Sequence, residues 1–221
     1  IGSGTVVEAH AVALDATNAD ALLAGCQLAV DCTDALAPRV ALSDACVRAG
    51  VPMVHGSVAR WEGRAAVLCA DRVRGLDAAA EGAPAAPAHV GAAGIGRTTG
   101  RRTYVPRLRR ADVPCYRCLW PGAAEPDPGV PSCDAAGVLG VAPGLVGMVQ
   151  ATEALKLLLG VGTPLAGVLW VTDLRTHATH HVSLARDPLC PACGAGRIGE
   201  RRAAAHASTD DGPAPAPSAS P

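Results

Sequence analysis

The apolar residues in the first fifty positions predict a short helix, a strand and a second helix. Residues 20–23 form a helical turn, and the run CQLAVD at 26–31 has the length of a strand and ends on an acid. In DALAPRVALSDACVRAG, residues 34–50, the apolar side chains approximate a helical stripe. Pro38 falls in the first turn of that helix, where proline is tolerated, and Gly50 stands where a helix often ends on glycine.

Two further strands follow this helix. Residues 51–58 (VPMVHGSV) and 61–68 (WEGRAAVL) are apolar runs of strand length. Strand, helix, strand at this spacing is a βαβ unit, which predicts a parallel sheet with ligands at the carboxyl ends of its strands. The fold class expected from the pattern is therefore α/β.

The longest uncharged run, residues 135–152 (AAGVLGVAPGLVGMVQAT), predicts a buried helix of a soluble domain. Its length approaches that of a membrane span, but glycines, a proline and Gln150 interrupt it, and it continues into Glu153 and Lys156. We therefore expect no membrane segment.

Two stretches lack the apolar periodicity that is typical of helices and strands. Residues 71–112 are rich in Ala, Gly and Pro and then in arginine, with few aromatic residues among the arginines. We interpret them as a solvated, flexible insertion rather than as a nucleic acid contact. Residues 200–221 have the composition of a disordered tail. The predicted domain is residues 1–199, interrupted by the insertion.

Length and charge narrow the classes of function. The 221 residues suffice for one large domain, and 19 Lys and Arg against 20 Asp and Glu give a net charge of −1. This balance argues against a strongly basic nucleic acid binder. Residues 1–20 lack the basic and apolar regions of a secretory signal. An odd number of cysteines, nine, without such a signal favours a reducing compartment, and we expect the cytoplasm.

Two CxxC pairs give the most specific chemical signal. Cys115 and Cys118 form the first pair, and Cys190 and Cys193 form the second. Together they offer four thiolates, the number that a tetrahedral Zn²⁺ needs, and a filled Cys₄ shell would be structural rather than catalytic. The alternatives are a redox pair, or buried cysteines that never meet.

A second signal is the acidic sequence DCTD, Asp31 to Asp34, at the end of the first predicted strand. A carboxylate at that edge of an α/β sheet suits a Mg²⁺ ion that also binds substrate phosphates. The alternative is that Asp34 caps the N-terminus of the following helix.

Cys133 gives a third signal because it directly precedes the helix predicted at 135–152. The helix dipole would lower the pKa of its thiol, which makes it a candidate nucleophile; the alternative is an ordinary loop cysteine. The remaining cysteines lie in apolar stretches and are expected to be small core residues: Cys26, Cys32, Cys46 and Cys69.

Four ordered blocks carry a family resemblance. They are DCTDALAPRVALSDACVRAGVPMVHGSVARWEGRAAVL, PCYRCLWP, SCDAAGVLGVAPGLVGMVQATEALKLLLGVGTPLAGVLWVTDL and RDPLCPACG. Together they resemble the ThiF/MoeB/HesA family of E1-like adenylyltransferases over about residues 5 to 195, apart from the insertion.

The resemblance implies a partial Rossmann-like E1/ThiF fold with a Cys₄ zinc site, usually in a homodimer. It implies that ATP and Mg²⁺ adenylate the C-terminal Gly-Gly of a ubiquitin-like sulfur carrier (ThiS/MoaD-like), with sulfur from a donor in trans. It places Mg²⁺ on Asp34, with Asp31, Ala35 and Arg39 in the nucleotide site. It also places a thioester- or persulfide-forming thiol at Cys133.

Two departures from the family pattern qualify this expectation. The glycine-rich nucleotide loop that precedes DCTD in the family is absent, so we expect the chain to be the C-terminal part of a longer enzyme. Ala35 stands where the family usually has Asn. The alternatives are a non-catalytic E1-like module that binds a ubiquitin-like protein or an active partner subunit, and an enzyme that activates a peptide carboxyl terminus.

Overall fold

A computed structural model describes residues 4–69, 113–121 and 137–194 of the chain. The predicted insertion at 71–112, the predicted tail at 200–221 and Cys133 lie outside these residues.

The described elements alternate between helices and strands in the first half and end in a hairpin. The helices are α1 (Ala19–Leu23), α2 (Leu36–Ala49), α3 (Tyr116–Leu119) and α4 (Ala142–Leu159). The strands are β1 (Ala29–Asp31), β2 (Met53–Ala59), β3 (Glu62–Leu68), β4 (Val168–Asp173) and β5 (Ala178–Ser183).

The five described strands form one mixed sheet in the order β1-β2-β3-β4-β5. The predicted βαβ unit is confirmed, because β1 and β2 are parallel and α2 connects them. The expectation of a parallel sheet is wrong beyond this pair, since β2 to β5 pair antiparallel. Only Arg60 and Trp61 connect β2 to β3, and so short a connection permits only antiparallel pairing.

The first predicted strand and helix are both confirmed, with shorter bounds. β1 has three residues, and α2 begins at Leu36, one residue later than expected. The N-cap of α2 is Ala35, without a side-chain cap, so Asp34 does not cap the helix. Gly50 ends it as predicted, in the left-handed region at φ 66° and ψ 28°, and its N–H donates to the carbonyl of Cys46.

The predicted helix at 135–152 is α4, which begins at Ala142 and continues past the charged residues to Leu159. It packs one face on β2 and β3. The expectation of full burial is wrong, because apolar side chains on its other face, such as Met148, are exposed. No described helix is both long enough and apolar enough to cross a bilayer.

The sheet has a helical layer on each face. Alternate residues such as Met53 and Leu68 pack towards α1 and α2, whereas Val54 and Val67 pack towards α4. Ala, Val and Leu fill most of both interfaces, in keeping with the absence of Phe.

The prediction of four core cysteines is half right. Cys46 and Cys69 are buried in the layer between the sheet and α2. Cys26 and Cys32 are exposed, because each lies in the connection just beyond the end of an element, α1 or β1.

Candidate functional site

The carboxyl end of β1 carries a buried acid with four hydrogen bonds. Oδ1 of Asp31 accepts from the N–H of Thr33 at 3.0 Å and from its Oγ1 at 2.6 Å. Oδ2 lies 3.0 Å from Nε of Arg39 and 2.7 Å from Nδ1 of His55. Asp31 and His55 are register partners in the parallel pairing of β1 and β2, which brings the two side chains together.

In this network the negative charge of Asp31 is balanced by Arg39, and His55 is neutral. Burial raises the pKa of Asp31, but the hydrogen bond and charge of His55, the charge of Arg39 and the Thr33 hydroxyl outweigh it, so the pKa is lowered overall. Burial lowers the pKa of His55, and its hydrogen bond to Asp31 offsets only part of that. We therefore assign an ionised Asp31, paired with Arg39, and a neutral His55 whose Nδ1–H donates.

The other residues predicted for this site lie on the loop that leaves β1 and in the first turn of α2. Asp34 and Ala35 are exposed, and Arg39 lies half-buried in the first turn of α2. The structure thus brings Asp31 and Arg39 into contact and leaves the carboxylate of Asp34 facing solvent.

Gln150 and His55 are functional candidates that the sequence did not single out. Nε2 of Gln150, on α4, donates to the carbonyl of Asp31 at 2.7 Å and to that of Val54 at 3.2 Å. A buried glutamine in an otherwise apolar run was the available signal, since a buried amide requires partners.

The four cysteines of the CxxC pairs meet in one cluster. Sγ of Cys115 lies 3.8 Å from that of Cys118 and 3.5 Å from that of Cys190, and Cys118 lies 3.3 Å from Cys193. All four sulfurs lie within 4.8 Å of one another. The hypothesis that these cysteines never meet is therefore wrong.

Local backbone bonds shape both halves of the cluster. The N–H of Cys118 donates to the carbonyl of Cys115 at 3.1 Å, and the N–H of Gly194 donates to that of Cys190 at 2.9 Å. A Cβ on Gly194 would lie 2.6 Å from the carbonyl oxygen of Pro188, which explains why glycine follows the second pair. Each turn therefore directs its two sulfurs to the same side.

The donor set of the cluster fits a tetrahedral thiolate-binding metal ion. Zn–S bonds of about 2.3 Å imply sulfur separations of about 3.8 Å, close to those observed. Hydrogen bonds from Cys115 and Cys193 lower the pKa of the Cys118 thiol, which favours the thiolate form that a metal ion binds. Cys115, Cys190 and Cys193 are buried.

Two aromatic side chains lie between the cysteine cluster and the buried acid. Tyr116 directly follows Cys115, and its ring stacks on that of Trp120 with 5.0 Å between centroids. The His55 ring meets Tyr116 edge-on at 5.3 Å and Trp120 at 6.2 Å. The guanidinium of Arg39 lies 5.8 Å from the centroid of Tyr116. The two candidate sites are therefore in packing contact.

Comparison with known proteins identifies longer relatives. The chain is 36% identical over 189 residues to the sulfur carrier protein adenylyltransferase of Thermus thermophilus, covering 85% of this chain and 56% of that protein. It is 35% identical over 192 residues to the SAMP-activating enzyme E1 of Haloferax volcanii, covering 87% of this chain and 56% of that protein. The chain thus spans little more than half the length of these relatives.

The fold is also similar to a solved one. The crystal structure of Escherichia coli MccB with MccA-N7isoASN superposes with a TM-score of 0.50 at 13% identity, covering 82% of this chain and 44% of that chain. The family model described as the ThiF family matches residues 1–192. With DCTD at the end of β1 and the clustered CxxC pairs, this match shows that the chain belongs to the ThiF family.

Proposed function

We propose that this chain is part of an ATP-dependent adenylyltransferase that activates the C-terminal glycine of a ubiquitin-like sulfur carrier of the ThiS/MoaD kind. The observation that carries the proposal is the family match over residues 1–192. Similarity to a sulfur carrier protein adenylyltransferase and to a SAMP-activating enzyme E1 supports it.

The proposed reaction turns a poor electrophile into a good one. A carboxylate oxygen of the carrier attacks the α-phosphorus of ATP, the bond from that phosphorus to the oxygen bridging to the β-phosphate breaks, and pyrophosphate leaves with the electron pair. The product is an acyl adenylate, whose carbonyl carbon accepts a sulfur nucleophile far more readily than a free carboxylate does.

Asp34 is the residue that we propose for Mg²⁺. Its exposed carboxylate lies at the sheet edge where α/β proteins bind ligands, and Mg²⁺ in phosphate sites takes one or two protein carboxylates. The ion would offset the negative charge of the phosphates as pyrophosphate leaves. Ala35, beside it, would border the nucleotide, and Arg39 adds positive charge close by.

We propose that the cysteine cluster holds a structural Zn²⁺. Cys115, Cys118, Cys190 and Cys193 supply four sulfurs at suitable separations, and a filled shell leaves no position for substrate. The ion would join the segment at 113–121 to the segment at 187–194 and so support the aromatic pair beside the acid network.

Several features of the proposal rest on the family alone. Cys133, which lies outside the described residues, is proposed as the thiol that forms a covalent link to the activated carrier. The sulfur donor would act in trans, and the enzyme would be a cytoplasmic homodimer.

Carrier-dependent exchange between ATP and labelled pyrophosphate tests the function. It is best measured on both this chain and the full product of its gene, because the chain spans little more than half the length of these relatives. We expect exchange in the full product, and we expect Asp34→Asn to lower it by about a hundredfold or more, since loss of metal binding removes several kcal/mol of charge stabilisation. Asp20→Asn, a surface change beside Arg48, is the matched control and should leave exchange unchanged.

Two outcomes would count against the proposal. If neither protein exchanges pyrophosphate but the carrier still binds, the chain is a non-catalytic module. If exchange requires a short peptide instead of the carrier, the substrate is a peptide carboxyl terminus.

A further inference from the structure

The carboxylate of Asp31 has no free side for a ligand. Its side chain is 0% exposed, and each oxygen already accepts two hydrogen bonds within the protein. A nucleotide or Mg²⁺ could reach it only after Thr33 or Arg39 had moved away and left a buried charge poorly paired, which is unfavourable.

The same network fixes the loop that presents Asp34. The N–H and the hydroxyl of Thr33 both donate to Asp31, and Nη2 of Arg39 donates to the carbonyl of Thr33. Every polar group of Thr33 is therefore held by this one ion pair. Asp34 is the next residue, and it is exposed.

His55, on β2, completes the network around Asp31. Its side chain is fully buried, its Nδ1 is bonded to Asp31, and Tyr116 and Trp120 pack edge-on against its ring. Among the described residues its Nε2 has no hydrogen-bond partner. A buried polar atom without a partner costs free energy, so a histidine at this position requires a compensating benefit.

We propose that His55 is a positioning residue, which with Arg39 holds Asp31 in place so that the loop at 32–35 presents Asp34 to the nucleotide-bound cation. Asp31 itself then binds neither nucleotide nor metal. The role of Asp34 rests on the proposed function, whereas the holding of the loop does not.

The alternative is a histidine that only fills space in the core. His55→Leu preserves much of the volume but cannot donate, whereas Asn in His55→Asn can place its amide near the position of Nδ1 and donate to Asp31. A space-filling role predicts that Leu is tolerated at least as well as Asn. A positioning role predicts instead that His55→Asn keeps the loop in place better than His55→Leu does.

Amide hydrogen exchange on this chain tests the loop directly. We expect His55→Leu to accelerate exchange at Thr33 by about tenfold, the effect of weakening one hydrogen bond, and His55→Asn to restore most of the protection. The N–H of Val67, bonded to the carbonyl of Leu165 at 3.0 Å, serves as the reference amide and should not change. His180→Leu, on an exposed position of β5, is the matched control.

Pyrophosphate exchange by the full gene product tests the consequence for the reaction. The Mg²⁺ concentration for half-maximal exchange should rise about tenfold in His55→Leu, while the KM for the carrier stays unchanged and His55→Asn recovers most of the Mg²⁺ response. A purely structural change would lower the amount of active enzyme without moving this midpoint.

Thr33→Val provides a second route if His55→Leu fails to fold. It removes the hydrogen bond that the hydroxyl of Thr33, a half-buried residue of the loop, donates to Asp31. The Mg²⁺ concentration for half-maximal exchange should therefore rise in this variant as well.

Unchanged protection of Thr33 in His55→Leu would overturn the proposal, as would a loosened loop with an unchanged Mg²⁺ midpoint. If the unsubstituted enzyme shows no exchange at all, the proposed function fails, and the hydrogen-exchange result alone decides whether His55 positions the loop.

Discussion

The side chain of Gln150 occupies the space that a β-carbon at Gly56 would need. A Cβ built on Gly56 would lie 2.3 Å from Cδ of Gln150 and 2.5 Å from its Oε1. This close approach allows α4 to reach the sheet and bond the carbonyls of Asp31 and Val54. The helix is thereby fixed to the carboxyl end of β1, beside the candidate site.

Replacement of Gly56 should therefore destabilise the fold. We expect Gly56→Ala to lower the free energy of unfolding by about 2–4 kcal/mol, because it overpacks the interface and displaces a hydrogen-bonded amide. Chemical denaturation measures the change. Gly147→Ala is the control, since a Cβ at Gly147 in α4 would have no neighbour within 4 Å; it should stabilise by about 0.5–1 kcal/mol. Equal effects of the two substitutions would contradict the packing described above.

Ser43 anchors the segment that carries the first CxxC pair. Its buried Oγ accepts from the N–H of Tyr116 at 3.1 Å. Ser43→Ala leaves this N–H without a partner and should cost about 1–3 kcal/mol of unfolding free energy, again measured by denaturation. Ser183→Ala, on an exposed position of β5, should change it by less than about 0.5 kcal/mol. A neutral Ser43→Ala would show that the bond is not significant in solution.

The cysteine cluster predicts a defined metal content. We expect about one zinc ion per chain in protein purified under reducing conditions, measured by inductively coupled plasma mass spectrometry. Cys193→Ser removes one of the four sulfurs and should lower this content at least several-fold, together with thermal stability. Cys26→Ser, outside the cluster and exposed, should do neither. A folded, zinc-free chain would refute the metal site.

His55 should make stability depend on pH. Burial lowers its pKa below the ordinary value of 6.5, and Arg39 and Arg64 lower it further, although Asp31 opposes them. As the pH falls through 6.5, the unfolded chain binds a proton at His55 that the folded chain does not. The free energy of unfolding should therefore decrease towards acid, by at most about 1.4 kcal/mol per pH unit from this group.

Urea denaturation between pH 7.5 and pH 5 tests this dependence. His55→Asn cannot take up the proton, so its unfolding free energy should change less over this range than that of the unsubstituted chain. Identical pH profiles for the two proteins would mean that His55 is not held neutral in the fold.

The cysteine cluster and the acid site differ in how far the sequence could predict them. The two-residue spacing within each CxxC pair is a local constraint, so the four cysteines could be named in advance, and the structure brings their sulfurs together. The acid site was only half predicted. DCTD marked the position, but His55, 24 residues from Asp31, and Gln150, 119 residues from it, lie in ordinary apolar runs.

The burial of individual cysteines was likewise only partly predictable from the sequence. Cys26 falls inside the first predicted strand, yet β1 begins only at Ala29 and Cys26 is exposed, whereas Cys46 is buried in the middle of α2. An error of a few residues in the end of a strand is enough to change such a prediction.

The sequence by itself determined the α/β class, the positions of most helices and strands, and the residue types capable of metal and phosphate chemistry. These depend on apolar periodicity and on short spacings, which are local properties of the chain. Only the tertiary structure decided that β2 to β5 pair antiparallel, that Asp31 is enclosed while Asp34 is exposed, and that Gln150 and His55 each bond to Asp31 at the end of β1. These features depend on strand register and on contacts between distant residues, whose free energies exist only once the sheet and its helices have packed.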